Sequence, residues 1–198
     1  MNMRKCTALP ALLCWAALSV PSEAQTVPVF AISPDGSTIK FSVSSSVEVS
    51  GKFDKWDASL VFASVDPTTG VLDIKIQAAS VDTGSGLKDR KLKDDDFFDV
   101  DKNPLIEFRS TKIVQTAPNT ADVEGDFTLR GVTKPEKLSL VVSGAGTGSA
   151  TIQGTMAFNR KDYGVNGSIP FVRIADRVEV SVDLKVRRVS GPALALKN

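Results

Sequence analysis

The sequence predicts an all-β protein, an extended antiparallel β-barrel of about eight strands with one short helical or irregular insertion near residues 87–100. Three observations predict it. Apolar and polar residues alternate with a period of two along most of the chain, the pattern of strands with one dry face. Turn signals rich in Pro, Gly, Asn and Asp separate these runs. One stretch, Leu87 to Ser110, breaks the alternation with a charge run from Lys88 to Asp96 and the pair Phe97-Phe98, before Pro104 restarts it at Ile106 and Phe108.

The first 24 residues read as a segment outside the fold. Arg4 and Lys5 form a positive start, Ala8 to Val20 a short apolar run, and Ser22-Glu23-Ala24 a small-x-small cleavage signal. The apolar run is shorter than the roughly 20 residues a membrane span needs. A secretory signal with cleavage after Ala24 is expected, and with it a periplasmic or secreted location. Cys14 lacks the small residue before it that a lipoprotein signal wants, since Leu13 stands there.

Cys6 and Cys14, the two cysteines of the chain, both fall inside that segment, and the chain has no histidine. The mature protein therefore has no thiol, no disulfide and no imidazole base, which argues against His-assisted nucleophilic catalysis and nearly all zinc or copper sites. The removed segment carries Arg4, Lys5 and Glu23, so the 24 basic and 23 acidic residues become 22 of each. A neutral chain without a basic patch is not expected to bind nucleic acid. About 174 residues remain, enough for one domain with a sizeable core.

Taken in order, Thr26 to Ile32 predicts a short first strand, closed by the turn Pro34-Asp35-Gly36. Ile39, Phe41, Val43, Val47, Val49 and Phe53 then share the odd positions of a run too long for an ordinary strand. It reads as one long curved strand, or as two strands bent near Ser44 to Ser46. Trp56, Ala58, Leu60 and Phe62 continue the pattern. Asp66 to Gly70 turns it into a return strand with Leu72, Ile74, Ile76 and Ala78 on one face.

After the insertion, Ala117 to Thr120 and Arg130-Gly131 read as turns flanking Val123, Gly125, Phe127 and Leu129. Leu138, Leu140 and Val142 follow, then a Gly/Ser loop, then Ile152, Gly154, Met156 and Phe158. The last strand sets Val178, Val180, Val182, Leu184 and Val186 on one face. Residues 189–198 lack periodicity and read as a flexible tail. A half-wet sheet of this size folds into a sandwich or closes into a barrel. The long strands favour the barrel, which at eight strands is filled by side chains or holds one small ligand.

Several motifs have a plain reading beside the chemical one. Asp99-x-Asp101-x-Asn103 resembles the start of a calcium loop, but Pro104 and Ser110 occupy the positions where that loop needs Gly and Glu. Asp94-Asp95-Asp96 with Lys88, Arg90, Lys91 and Lys93 could supply carboxylates to a hydrolase or isomerase, yet such a run is usually the wet side of a short helix. Gly146 to Ala150 lacks the spacing of a serine-nucleophile turn. Asn166-Gly167-Ser168 matches a glycosylation sequon and reads as a loop.

The strings KDRKLKDDDFFDVDKNPLIEFRST, GDFTLRGVTKPEKLSLVV and FNRKDYGV, preceded by STIKFSV and VSGKFDKW, resemble the YceI-like family of exported bacterial proteins. The likeness runs from about Phe30 to Val186, in the family's order. One departure is Ser44-Ser45-Ser46, where family members often carry a histidine. The resemblance implies a lipocalin-like barrel over residues 25–188 that binds a polyisoprenoid, an isoprenoid quinone or a similar long amphiphile, and no other cofactor. On that reading the tail lies among Phe41, Val43, Trp56, Leu60, Ile74, Phe108, Phe127, Leu140, Met156, Phe158 and Val180. Phe97 and Phe98 close one end, and the head group sits near Arg130, Arg160 or Tyr163. Transient contact with membrane or envelope proteins, as a monomer or homodimer, is compatible with it. The competing expectation is a ligand-free structural or stress-response module acting through its outer surface.

Overall fold

The computed structural model describes residues 27–46, 49–144, 147–168 and 172–196. The expected signal segment, residues 1–24, lies outside these residues, and with it both cysteines. In chain order the elements are β1 (Val29–Ser45), β2 (Val49–Phe53), β3 (Trp56–Phe62), β4 (Gly70–Gln77), β5 (Val81–Asp82), α1 (Gly86–Lys93), β6 (Leu105–Ala117), β7 (Thr120–Leu129), β8 (Val132–Ser143), β9 (Ser149–Asn159) and β10 (Ile174–Ser190). All pairings are antiparallel. The order β10-β9-β8-β7-β6-β4-β3-β1 is closed by a β1–β10 pairing, so eight strands form the barrel. The two short strands, β2 and β5, extend it beside β1.

The beginning of the chain departs from the sequence expectation. No strand ends at Pro34-Asp35-Gly36; β1 runs straight through. Its register against β10 jumps from Ser33↔Lys185 to Thr38↔Asp183, so the turn residues are looped out as a bulge. Gly36 takes φ +79, and Ser37 Oγ accepts from the Lys185 backbone N–H at 2.8 Å, which ties the bulge back to β10. The long odd-position run resolves into two strands: Val43 pairs with Val49 across a reversal whose Val47 and Glu48 lie outside the described residues.

The other turns follow the sequence. Leu129 pairs with Val132 across Arg130-Gly131, both at positive φ (52° and 73°), the geometry of the tight hairpin that matches strand twist. Asn159 caps the helical turn Arg160–Tyr163 by accepting from the Lys161 N–H, and Gly164 ends it in the left-handed region. Between β8 and β9 the described pairs run only from Ser139↔Thr155 to Ser143↔Thr151. Nearer α1 the capped turn after β9 covers this seam, and Tyr163 bridges to Glu136 of β8.

Inside, the period-two faces meet in one continuous core. Burial alternates strictly along β4, along β7 from Val123 and along β9 from Ile152. Glycines on the inner face accept rings and branched side chains: a Cβ on Gly125 would stand 2.6 Å from Cζ of Phe108, and one on Gly154 2.7 Å from Val182 Cγ2. The chain beyond β10 lies across the end of the barrel remote from α1, where Ala195 N–H donates to Val65 O at 2.8 Å.

Candidate functional site

The insertion lies across one end of the barrel. The charges of its helix complement the dipole, with Asp89 in the first turn and Arg90, Lys91 and Lys93 in the last. Specific bonds hold it. Thr83 donates to Asp89 Oδ1 through its backbone N–H at 2.8 Å and its hydroxyl at 2.6 Å. Beyond the helix, Phe98 N–H donates to Leu92 O and Val100 N–H to Lys93 O, folding the chain back so that Leu92, Phe97 and Phe98 point into the barrel. Lys91 reaches Asp96 with both carboxylate oxygens at 2.9 Å and stands 5.5 Å over the Phe97 ring. That bond to Asp96 holds the Lys91 ammonium above its usual range, charged and facing outward.

Beneath this cover is a cavity of about 90 Å³. Two aromatic groups adjoin it, and all of their rings except Tyr163 line it. Phe41, Phe53 and Phe98 have ring centroids 5.6–6.4 Å apart. Phe127, Phe158 and Tyr163 lie 5.0–5.3 Å apart, in the tilted and edge-on geometries that aromatic pairs prefer. Phe97 apart, the rest of the apolar lining is aliphatic. Its three polar residues, Lys88, Lys91 and Arg160, present apolar stems to the space. Arg160 is 8 % exposed, and its guanidinium is committed to the chain around it. It donates to Val165 O at 2.9 Å, Gly167 O at 3.0 Å and Ala175 O at 3.1 Å, and pairs with Asp176 at 3.3 Å.

A second cavity of about 210 Å³ opens at the other end, under Phe30, Phe62 and the segment bearing Ala193, Leu194 and Leu196. The residues expected to hold a lipid tail therefore divide into groups. Phe41, Val43, Phe97, Phe98, Phe127, Phe158 and Val180 line the cavity beneath the insertion, with Arg160. Leu60 and Leu140 line the remote one. Ile74, Phe108 and Met156 line neither; they are buried between the two. Trp56 is half-buried beside a polar surface groove with Asp54, Asp57 and Lys75.

Two expected head-group residues lie elsewhere than at the cavity. Arg130 donates to Asp95 O in the insertion and to Gly164 O after the capped turn, so it fastens the one to the other. Tyr163 is fully buried and donates to Glu136 Oε1 at 2.7 Å. Burial, and then the bond to the Glu136 carboxylate, push its hydroxyl far above the ordinary tyrosine range. Among the described residues no group of three or more Asp, Glu, His or Cys side chains could hold a metal ion. Asp99 sits at φ +51 and accepts the Lys102 and Asn103 N–H groups on its carbonyl.

Several lining residues escaped the sequence reading. Ile39, Val49 and Phe53 share the alternation that marked Phe41 and Val43, so their signal was present. Val165 and Ile174 had none, because they flank an aperiodic loop.

The family model for the YceI-like domain matches residues 30–186. A UPF0312 protein of Pseudomonas savastanoi pv. phaseolicola is 33% identical over 133 residues, 65% of this chain and 69% of that protein. The crystal structure of Burkholderia cenocepacia BcnA has a TM-score of 0.71 at 22% identity, over 78% of this chain and 99% of that one. A polyisoprenoid binding domain from Saccharophagus degradans, implicated in plant cell wall breakdown, has a TM-score of 0.66 at 16% identity, over 81% and 99%. These two likenesses are of fold.

Proposed function

This chain belongs to the YceI-like family, and from that premise we propose that it is an exported binding protein holding an isoprenoid or similar apolar chain inside its barrel. One observation carries the reading: a lumenal cavity lined by aromatic rings and aliphatic stems, covered by an insertion whose Leu92, Phe97 and Phe98 face inward. Its fold neighbour from Saccharophagus degradans, a polyisoprenoid binding domain, supports the same ligand class. Each methylene-sized unit moved from water into such a lining gains about 0.8 kcal/mol, so affinity needs no polar hook. With Arg160 committed to carbonyl groups, any polar head stays at the rim.

The reading is of binding rather than turnover, which the position of the acidic run Asp94 to Asp96 outside the cavity lining supports. Storage, transport or protection of the envelope under stress would each use the same cavity. The leader-like first 24 residues support a periplasmic site of action, which fractionation of cells expressing the tagged full chain would check. Mass spectrometry of the natively purified protein is expected to find a co-purifying prenyl or other long apolar molecule at stoichiometric level. Protein that carries none, and that binds none when offered prenyl alcohols, would refute the reading.

A further inference from the structure

Single exposed apolar side chains are ordinary on a protein surface; a concentration of them in one place is not. Among the described residues ten large apolar side chains are exposed, and eight of them stand at the end of the barrel remote from α1. The other two, Leu87 in α1 and Leu105 beside it in the chain's return to β6, stand at the insertion end. Register places four of the eight side by side on the outer face. Val29 of β1 pairs with Val61 of β3, Val61 pairs with Val71 of β4, and Val189 of β10 precedes Ser190, the partner of Val29. Val114 of β6 and Val141 of β8 each lie between two residues that line the remote cavity, so the pleat turns them outward there. Leu196 lines that cavity, and Val65 accepts the Ala195 N–H on its carbonyl. The segment crossing this end, Ser190 to Leu196, holds no charged residue.

We infer that this end is a membrane-docking surface, a rim of aliphatic side chains that enters the headgroup layer of an anionic phospholipid bilayer. The apolar positions are spread over six of the eight barrel strands. A ring of that kind suits a continuous fluid, where a second protein would cover one flat side. Charge fits the same occupant. Arg187 is exposed, stands between Ala31 and Ser149 in the ladder, and pairs with no carboxylate among the described residues. Arg188 beside it donates to a carbonyl, that of Gly191, at 3.2 Å. The carboxylates at this end are engaged: Asp66 by the Thr68 N–H and hydroxyl, Asp122 by Ser139 and Lys137, and Glu124 by Lys112. The acidic run Asp94 to Asp96, which anionic lipid repels, belongs to the insertion at the opposite end. The strands set the depth, because Val61↔Val71 gives way to Ser59↔Asp73 and then to Asp57↔Lys75. The first charge therefore stands two residues, about 7 Å, from the valines, within the roughly 5–10 Å to which interfacial elements sink. Arg187 stands at the same distance from Val189, at the level of the headgroups. Docking goes beyond the lumenal reading and does not depend on it.

The test is vesicle co-sedimentation of the chain from Gln25, which holds the whole described barrel and lacks the apolar run Ala8 to Val20 that would bind lipid itself. Vesicles of phosphatidylglycerol mixed with phosphatidylcholine are expected to carry down the wild type, and phosphatidylcholine alone to carry down less. Raised salt should weaken the first and leave the second unchanged. Val61→Glu, at a site 62 % exposed, should bind the mixed vesicles about tenfold more weakly through the lost burial of its side chain. Leu105→Glu, the same kind of change at the insertion end, should bind as wild type. Arg187→Gln should lose about fivefold on the mixed vesicles and nothing on phosphatidylcholine alone; it keeps the test decisive if Val61→Glu does not fold. Wild type that sediments with neither vesicle, or Val61→Glu and Arg187→Gln that bind as it does, would overturn the docking surface. So would a dimer in sedimentation velocity that Val61→Glu dissociates and that binds no vesicle, because the rim then belongs to a second copy. The lumenal reading is judged apart from all of these, by the molecule that co-purifies.

Discussion

Tyr163 is the single tyrosine of the chain, and its hydroxyl is both buried and bonded to a carboxylate. Its pKa is raised in the folded state, so its contribution is fully present below the unfolded value of about 10. Above that pH the unfolded chain loses the proton and the native protein keeps it. Stability then falls as pH rises, by up to about 1.4 kcal/mol per pH unit from this group. Urea unfolding followed from neutral to alkaline pH is expected to show that fall, and Tyr163→Phe to remove this part of it. At neutral pH the same substitution keeps the ring against Phe127 and Phe158 and loses a bond to a charged partner, at a cost of about 1.5–3 kcal/mol. Arg160 acts on the backbone instead. Arg160→Met would leave the carbonyls of Val165, Gly167 and Ala175 without their donor, costing about 1–3 kcal/mol for each that water cannot reach. A lowered urea midpoint at unchanged slope would show it, and a midpoint equal to wild type would refute the role.

At the scale of the element, the insertion from α1 to Asn103 is held by two different residues for two different reasons. Phe97 is 4 % exposed and its ring lies on Gly167, where a Cβ would stand 2.3 Å from it. Phe97→Ala is therefore expected to cost about 3–5 kcal/mol of stability, as large-to-small core changes do. Phe98 is half-buried and faces the cavity between Phe41 and Phe53. Phe98→Ala should speed the release of a bound chain while the unfolding midpoint moves less than for Phe97→Ala; the reverse order would mean that the insertion is a connection and not a cover. Arg130→Ala removes the tie between Asp95 and Gly164. Hydrogen exchange should then quicken across residues 86–103 and stay unchanged in β6 and β7. The anchors Leu92, Phe97 and Phe98 could be read from the sequence because they are apolar islands in a charge run. That Arg130 fastens them could not, since its partners are carbonyl groups of residues 35 and 34 positions away.

At the scale of the whole molecule, the barrel is held by closure, with no cysteine among the described residues. The β1–β10 ladder joins the two ends of the chain and leaves the barrel no open edge between them. Its exposed ion pairs set a shallow pH dependence. The carboxyls of Asp82, Asp122 and Asp183 are held below the usual range, the first chiefly by the Gly84 N–H, the second by Ser139 and the third by Lys185. Their contribution is present above the unfolded value of about 3.9 and is lost as pH falls through the lower folded values. Lys52, raised chiefly by Asp54, and Lys91, raised by Asp96, lose theirs at the alkaline side, above about 10.4. A broad plateau between acid and alkali is expected, with both shoulders weakened by salt because these groups are solvent-exposed.

The sequence by itself determined the strands, their inward faces and the position of the insertion. Those features are local: a period of two is imposed by the pleat, and turns by residues that tolerate their dihedrals. It also determined the absence of imidazole chemistry, since the chain has no histidine. Only the tertiary structure decided that Pro34-Asp35-Gly36 is a bulge inside β1, because β10 supplies the ladder that carries the strand past a turn signal. Only the tertiary structure sorted one uniform apolar face into residues that line two cavities and residues that line neither. Phe41, Phe108 and Leu60 look alike in an alternating pattern. Which of them meets empty space depends on depth along the barrel and on the glycines opposite, and both are set by register between strands far apart in the chain.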